Sequence, residues 1–200
     1  MRWFLVLILT YFLLSTVDAA TLIPRAFKAD FIQQTEGRVS GKQEAIELNY
    51  QFPSRIKLKT VSDVTYICNE KKVWIYTAPF LDGEKGQLQI GESSKYCYSK
   101  IFDALQSGTK NNKLYTIEEK KLSTIIKFTK AASEQLQVSQ AVFSYDKQKN
   151  IKNLKEILLV YNNGAPSLTL ILKKLNSVEK FPENYFVFEA PKNTETIKMK

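Results

Sequence analysis

This 200-residue chain predicts a mainly β fold with short α-helices, on three observations. Large apolar and polar residues alternate with period two over many short runs. Polar, Pro- or Gly-containing turns separate those runs at hairpin spacing. One stretch alone combines helical spacing with helix-ending signals.

Ahead of the strands, the chain starts with the pattern of an export signal. Met1-Arg2 is basic, Trp3 to Leu14 is almost wholly apolar, and Val17-Asp18-Ala19 offers small residues for signal peptidase. The apolar run is shorter than the roughly 20 residues that cross a bilayer, and Asp18 closes it. Residues 1–19 are therefore expected to be a cleavable signal peptide and 20–200 a single exported domain. No Cys follows the apolar run to carry a lipid. About 180 residues suffice for one continuous core.

The formal charge of +9 suits an anionic partner. The lysines are scattered singly along alternating segments rather than clustered among stacking aromatics, so no nucleic-acid partner is expected. His is absent, which removes Ser-His-Asp and Cys-His nucleophile arrangements and every His-containing metal site. No catalytic residue, metal or cofactor is assigned. Cys68 and Cys97 are the only cysteines, and in an exported chain they are a possible disulfide, provided the fold brings their Cα atoms close.

The first strand covers Phe27 to Gln34, preceded by a possible short helix at Leu22 to Ala26, which Pro24 restricts. Ala45 to Phe52 sets Ile46, Leu48, Tyr50 and Phe52 on one face, and Pro53-Ser54 breaks it. Arg55 to Val61, Val64 to Cys68 and Val73 to Thr77 continue the meander, with Asn69-Glu70-Lys71 as a turn. Gln87 to Ile90 precedes a helix expected at Ser99 to Gly108, where Ile101, Phe102 and Leu105 share one face and Gly108 ends it. Lys113 to Glu118, Thr124 to Thr129, Leu136 to Tyr145, Lys155 to Tyr161, Ser167 to Leu175 and Tyr185 to Phe188 complete the series. Asn162-Asn163-Gly164-Ala165-Pro166 is a strong reversal signal between the last two long strands.

Three segments carry a family resemblance. Phe27-Lys28-Ala29-Asp30-Phe31-Ile32-Gln33 resembles an opening F-x-A-x-F-x-Q strand. Tyr66-Ile67-Cys68, a turn, and Val73-Trp74-Ile75-Tyr76 with Pro79 resemble a strand, D-G-K turn and W-x-Y strand. Phe186-Val187-Phe188-Glu189-Ala190-Pro191 resembles a closing F-x-F-x-x-P strand, with Asn193 where a Gly is usual. Together they resemble the LolA-type periplasmic outer-membrane lipoprotein carriers. Departures are a short stretch before the first strand, Gln51-Phe52-Pro53 in place of a K-R-P step whose Arg helps hold a lid, Asn69-Glu70-Lys71 in place of the D-G-K turn, and a long charged stretch from Lys110 to Lys121.

The resemblance implies a strongly curved, incomplete antiparallel β-barrel covered by a helical lid, located in the periplasm and shuttling lipoproteins from the inner to the outer membrane. Its partners would be lipoprotein acyl chains, an inner-membrane lipoprotein-releasing ABC transporter and an outer-membrane acceptor, with the carrier a monomer. Candidate acyl-chain contacts are Phe27, Phe31, Leu48, Tyr50, Ile56, Leu58, Trp74 and Tyr76, under a lid of Ile101, Phe102 and Leu105. Trp74 and Tyr76 share a face opposite Val73, Ile75 and Thr77; aromatics inside are favoured for their area, while a core packed on the helices fits the same pattern. The chain has no G-x-x-x-x-G-K-[ST] loop, so transfer energy would come from partners. A second reading is an envelope lipid- or lipoprotein-sensing module of the same fold, and a third an envelope hydrolase using a carboxylate pair.

Overall fold

The computed structural model describes residues 21–35 and 43–199, and the expected signal peptide lies outside them. The strands are β1 (Ala26–Thr35), β2 (Glu44–Gln51), β3 (Arg55–Thr60), β4 (Val64–Cys68), β5 (Lys72–Thr77), β6 (Gly86–Glu92), β7 (Tyr115–Lys120), β8 (Ser123–Phe128), β9 (Val138–Tyr145), β10 (Leu154–Tyr161), β11 (Leu168–Ser177) and β12 (Thr194–Lys198). They form one open, curved sheet in the order β12-β6-β5-β4-β3-β2-β1-β11-β10-β9-β8-β7. Every neighbouring pair is antiparallel except β12 on β6. The fold is thus mainly β with short helices, as the alternation predicts.

Because β1 pairs with β2 on one side and β11 on the other, the sheet consists of two arms joined at the first strand. Register between β1 and β11 shifts at Asp30/Phe31, a bulge of the kind that adds local twist. Alternation then fixes the faces. Phe27, Ala29 and Phe31 of β1, Ile46, Leu48 and Tyr50 of β2, and Ala141, Phe143 and Tyr145 of β9 all enter one inner cluster. Each large side chain so buried contributes about 1.5–3 kcal/mol.

Three short helices close this face: α1 (Ser93–Tyr96), α2 (Ser99–Leu105) and α3 (Lys130–Leu136). α2 is the helix expected from the sequence, with Ile101, Phe102, Ala104 and Leu105 buried, and Gly108 follows at φ 107°. α3 replaces the first residues of an expected strand at Leu136: β9 begins only at Val138, after Gln137 at φ 58°. Lys130-Ala131-Ala132 is good helix-forming sequence, and Ala132 packs into the inner cluster.

Two expected elements differ. Leu22 to Ala26 forms no helix; Thr21–Arg25 is an irregular strap whose Ile23 is buried. The side-chain amide of Gln106 donates to the carbonyls of Ile23 and Pro24, at 3.2 and 3.1 Å, holding the strap to the end of α2. Tyr185 to Phe188 is not a strand either. Glu183–Phe186 is a 3-10 turn, and the segment crosses the outer face, where Phe181 and Phe186 pack on Ile67, Trp74 and Leu88. The edge of β6 is taken by the later strand β12 instead.

Candidate functional site

The inner face brings together most of the residues singled out from the sequence. Phe27, Phe31, Leu48, Tyr50 and Ile56 are buried there with Ile101, Phe102 and Leu105 of α2, and Leu58 packs against them half-buried. The rings are in contact: Phe27 to Tyr50 at 5.4 Å, Tyr50 to Phe102 at 5.3 Å and Phe27 to Phe102 at 6.1 Å between centroids. The helix is therefore seated on the sheet by an aromatic trio.

Trp74 and Tyr76 correct the inward orientation favoured for them. They belong to a separate cluster on the outer face, covered by the segment that carries Phe181 and Phe186. Pairing explains it. Val73 is opposite Cys68, and Ile75 is opposite Tyr66, and these four side chains occupy the inner cluster, so the intervening aromatics must point out. Tyr76 stacks near Phe188 at 5.0 Å and lies over Gly86, where an added Cβ would come within 2.6 Å of the phenol oxygen.

Polar groups fix the helical cover in place. Asp103 of α2 accepts hydrogen bonds from the Tyr50 hydroxyl at 2.8 Å, the Ser54 hydroxyl at 2.8 Å and the Ser54 backbone N–H at 3.1 Å. Ser54 presents that N–H from a left-handed turn, φ 56°. Burial, and next the charge on Asp103, push the Tyr50 phenol far above its usual range. Tyr66 donates to the Tyr96 carbonyl at 2.7 Å and accepts from the Tyr98 N–H at 2.9 Å, and burial raises its phenol too. Cys68 and Cys97 form a disulfide with Cα atoms 5.9 Å apart, tying β4 to the junction between α1 and α2. Arg55 pairs with Glu70 at 2.7 Å.

Beside this packed region lies a cavity of about 570 Å³ between the Thr21–Pro24 strap, the ends of β7–β9 and the Lys149–Ile151 turn. Leu22, Ile23, Tyr145 and Ile151 extend the inner apolar cluster to its wall. Other lining groups are polar. Glu119 accepts from the Lys149 ammonium at 2.6 Å and from the Thr124 hydroxyl at 3.0 Å. Thr124 is 2% exposed, so this bond satisfies a hydroxyl cut off from water. Burial raises the Tyr145 phenol, opposed by its bond to Thr124 and reinforced by the charge of Glu119.

None of these cavity residues was singled out from the sequence. One signal was present: Tyr115, Ile117 and Glu119 share a strand phase, which turns a carboxylate toward the inner face beside two apolar residues. The strap and the Lys149–Ile151 turn carry no periodic signal, since their position is set by tertiary contacts.

No protein-family model matches the chain, and no curated protein matches it in sequence. Solved structures are similar in backbone trace. An uncharacterized conserved protein from Thermus thermophilus is 9% identical, with 89% of this chain and 93% of that one covered and a TM-score of 0.48. A LolA superfamily protein from Nitrosomonas europaea is 7% identical over 83% of this chain and 92% of its own, with a TM-score of 0.46. A domain described as an outer membrane lipoprotein-sorting protein, from Vibrio parahaemolyticus, is 10% identical over 81% and 89%, with a TM-score of 0.37.

Proposed function

We propose that the protein is a periplasmic carrier that shelters an acyl chain of a lipoprotein between its curved sheet and its helical cover. The observation that carries this reading is the cavity beside the strap, whose apolar wall is continuous with the inner cluster. Its volume of about 570 Å³ lies within the roughly 300–1,000 Å³ of pockets that hold one small ligand. An exposed acyl chain costs about 0.8 kcal/mol per methylene in water, so passage across an aqueous compartment requires such a shelter. In this reading one chain enters beside Leu22 and Ile151, and additional chains enter where Phe27, Phe31, Leu48, Tyr50, Ile56 and Leu58 part from Ile101, Phe102 and Leu105.

Residues 1–19 would export the chain and be removed. An inner-membrane lipoprotein-releasing transporter would load it, and an outer-membrane acceptor of higher affinity would unload it, with no chemistry performed by the carrier. The test is mass spectrometry of organic extracts from protein purified out of the periplasm beside a co-expressed lipoprotein, with Ile151→Asp for comparison. Acyl lipid in near-stoichiometric amount, lost from a folded Ile151→Asp variant, is the expected result. A folded wild type that captures no lipoprotein would instead favour a sensing module.

A further inference from the structure

We infer that the cavity beside the strap selects acyl chains by their head, preferring an uncharged amide that can both donate and accept hydrogen bonds over a carboxylate or a quaternary ammonium. This rests on the carrier reading and specifies which amphiphile that same cavity takes. Among the described residues lining it, Glu119 and Lys149 alone carry charge, and they are paired at 2.6 Å. With its methylenes against Leu22, Ile23 and Ile151, a chain would bring its head beside this pair.

A carboxylate head approaching Lys149 must also approach Glu119, which would have to break its bond to the buried Thr124 hydroxyl to turn away. A quaternary ammonium meets Lys149 in the same way and offers no N–H to Glu119. An amide escapes both conflicts: its N–H is a donor for the Glu119 carboxylate and its carbonyl an acceptor for the Lys149 ammonium. The Lys149 and Glu119 side chains are 34% and 48% exposed, so their ion pair is readily rearranged by such a head. Lys147 and Lys152 lie outside the lining.

The test is displacement of N-phenyl-1-naphthylamine from the mature protein by three ligands of one chain length: N-methyl dodecanamide, dodecanoate and dodecyltrimethylammonium. Wild type, Glu119→Gln and Lys149→Gln are compared at about 0.15 M salt, with circular dichroism as the folding check. The amide is expected to bind wild type about tenfold more tightly than either charged head, a gap of about 1.4 kcal/mol. Glu119→Gln should raise dodecanoate affinity, and Lys149→Gln should raise that of dodecyltrimethylammonium. Equal binding of all heads by all folded proteins, or a wild-type preference for a charged head, overturns head selection while leaving acyl binding in place. Failure of every chain to displace the probe from every folded protein would defeat the carrier reading itself.

Discussion

Asp103 is a half-buried carboxylate that serves the Tyr50 hydroxyl, the Ser54 hydroxyl and the Ser54 N–H, and so connects α2 to the turn between β2 and β3. Hydrogen bonds to a charged acceptor are stronger than neutral ones, and their loss leaves the fully buried Tyr50 without its partner. Asp103→Ala should therefore lower stability by about 2–4 kcal/mol, read as a shift in urea midpoint with unchanged m-value. Tyr50 adds a pH dependence. Its folded-state pKa is raised, so the unfolded chain releases the phenol proton first. The stabilisation is fully present below the ordinary value of about 10 and is lost as pH climbs beyond it. Urea midpoints at pH 9 and 11 should fall with pH, and less steeply in Tyr50→Phe. An identical slope in that variant would place the alkaline sensitivity elsewhere, for example at Tyr66.

At the scale of elements, the meander was legible because β1 and β2 alternate apolar and polar residues and polar turns separate the strands that follow, and the boundaries expected for β4 are those observed. α2 was legible for the same reason, with Ile101, Phe102 and Leu105 spaced for one helical face. What escaped is decided by tertiary placement. The four-residue α1 is too short to show a period, β12 reads as a polar tail, and nothing local tells Trp74 which way to point. Of the three family-like segments, the first two fall on β1, β4 and β5, while the third, Phe186 to Pro191, is no strand, and none marks the cavity. The two cysteines left their pairing open, and the fold closes it by bringing β4 under the helical cover. Their sequence separation of 29 residues gives a loop-closure stabilisation of about 3–4 kcal/mol. The Cys68→Ser/Cys97→Ser double variant should lose about that much, measured by chemical denaturation against wild type without reductant.

For the whole molecule, the sheet separates two environments. The inner cluster and its cavity lie on one side, and Trp74 lies on the other beneath Phe181 and Phe186. Trp3 belongs to the expected signal peptide, so Trp74 would be the only indole of the mature protein. Its emission maximum should stay constant when an acyl ligand enters the cavity, and shift to the red when the chain is cut after Ser177. A ligand-induced shift in the intact protein would show that the outer cluster responds to the cavity.

The position of β1 also governs the order in which the chain can be built. Its partner β2 is made next, but β11 arrives some 140 residues later, after β2 to β10 and before only β12. A ribosome that has passed Tyr161 but not Leu168 therefore holds a chain whose central strand still presents an unpaired row of N–H and C=O groups. Such a strand is a template for pairing with any neighbouring extended chain, and long-range closure of this kind is slow. Closure of the two arms is thereby deferred until β11 emerges, which keeps the nascent chain threadable up to that point and makes its dependence on holding factors greatest just before that strand appears.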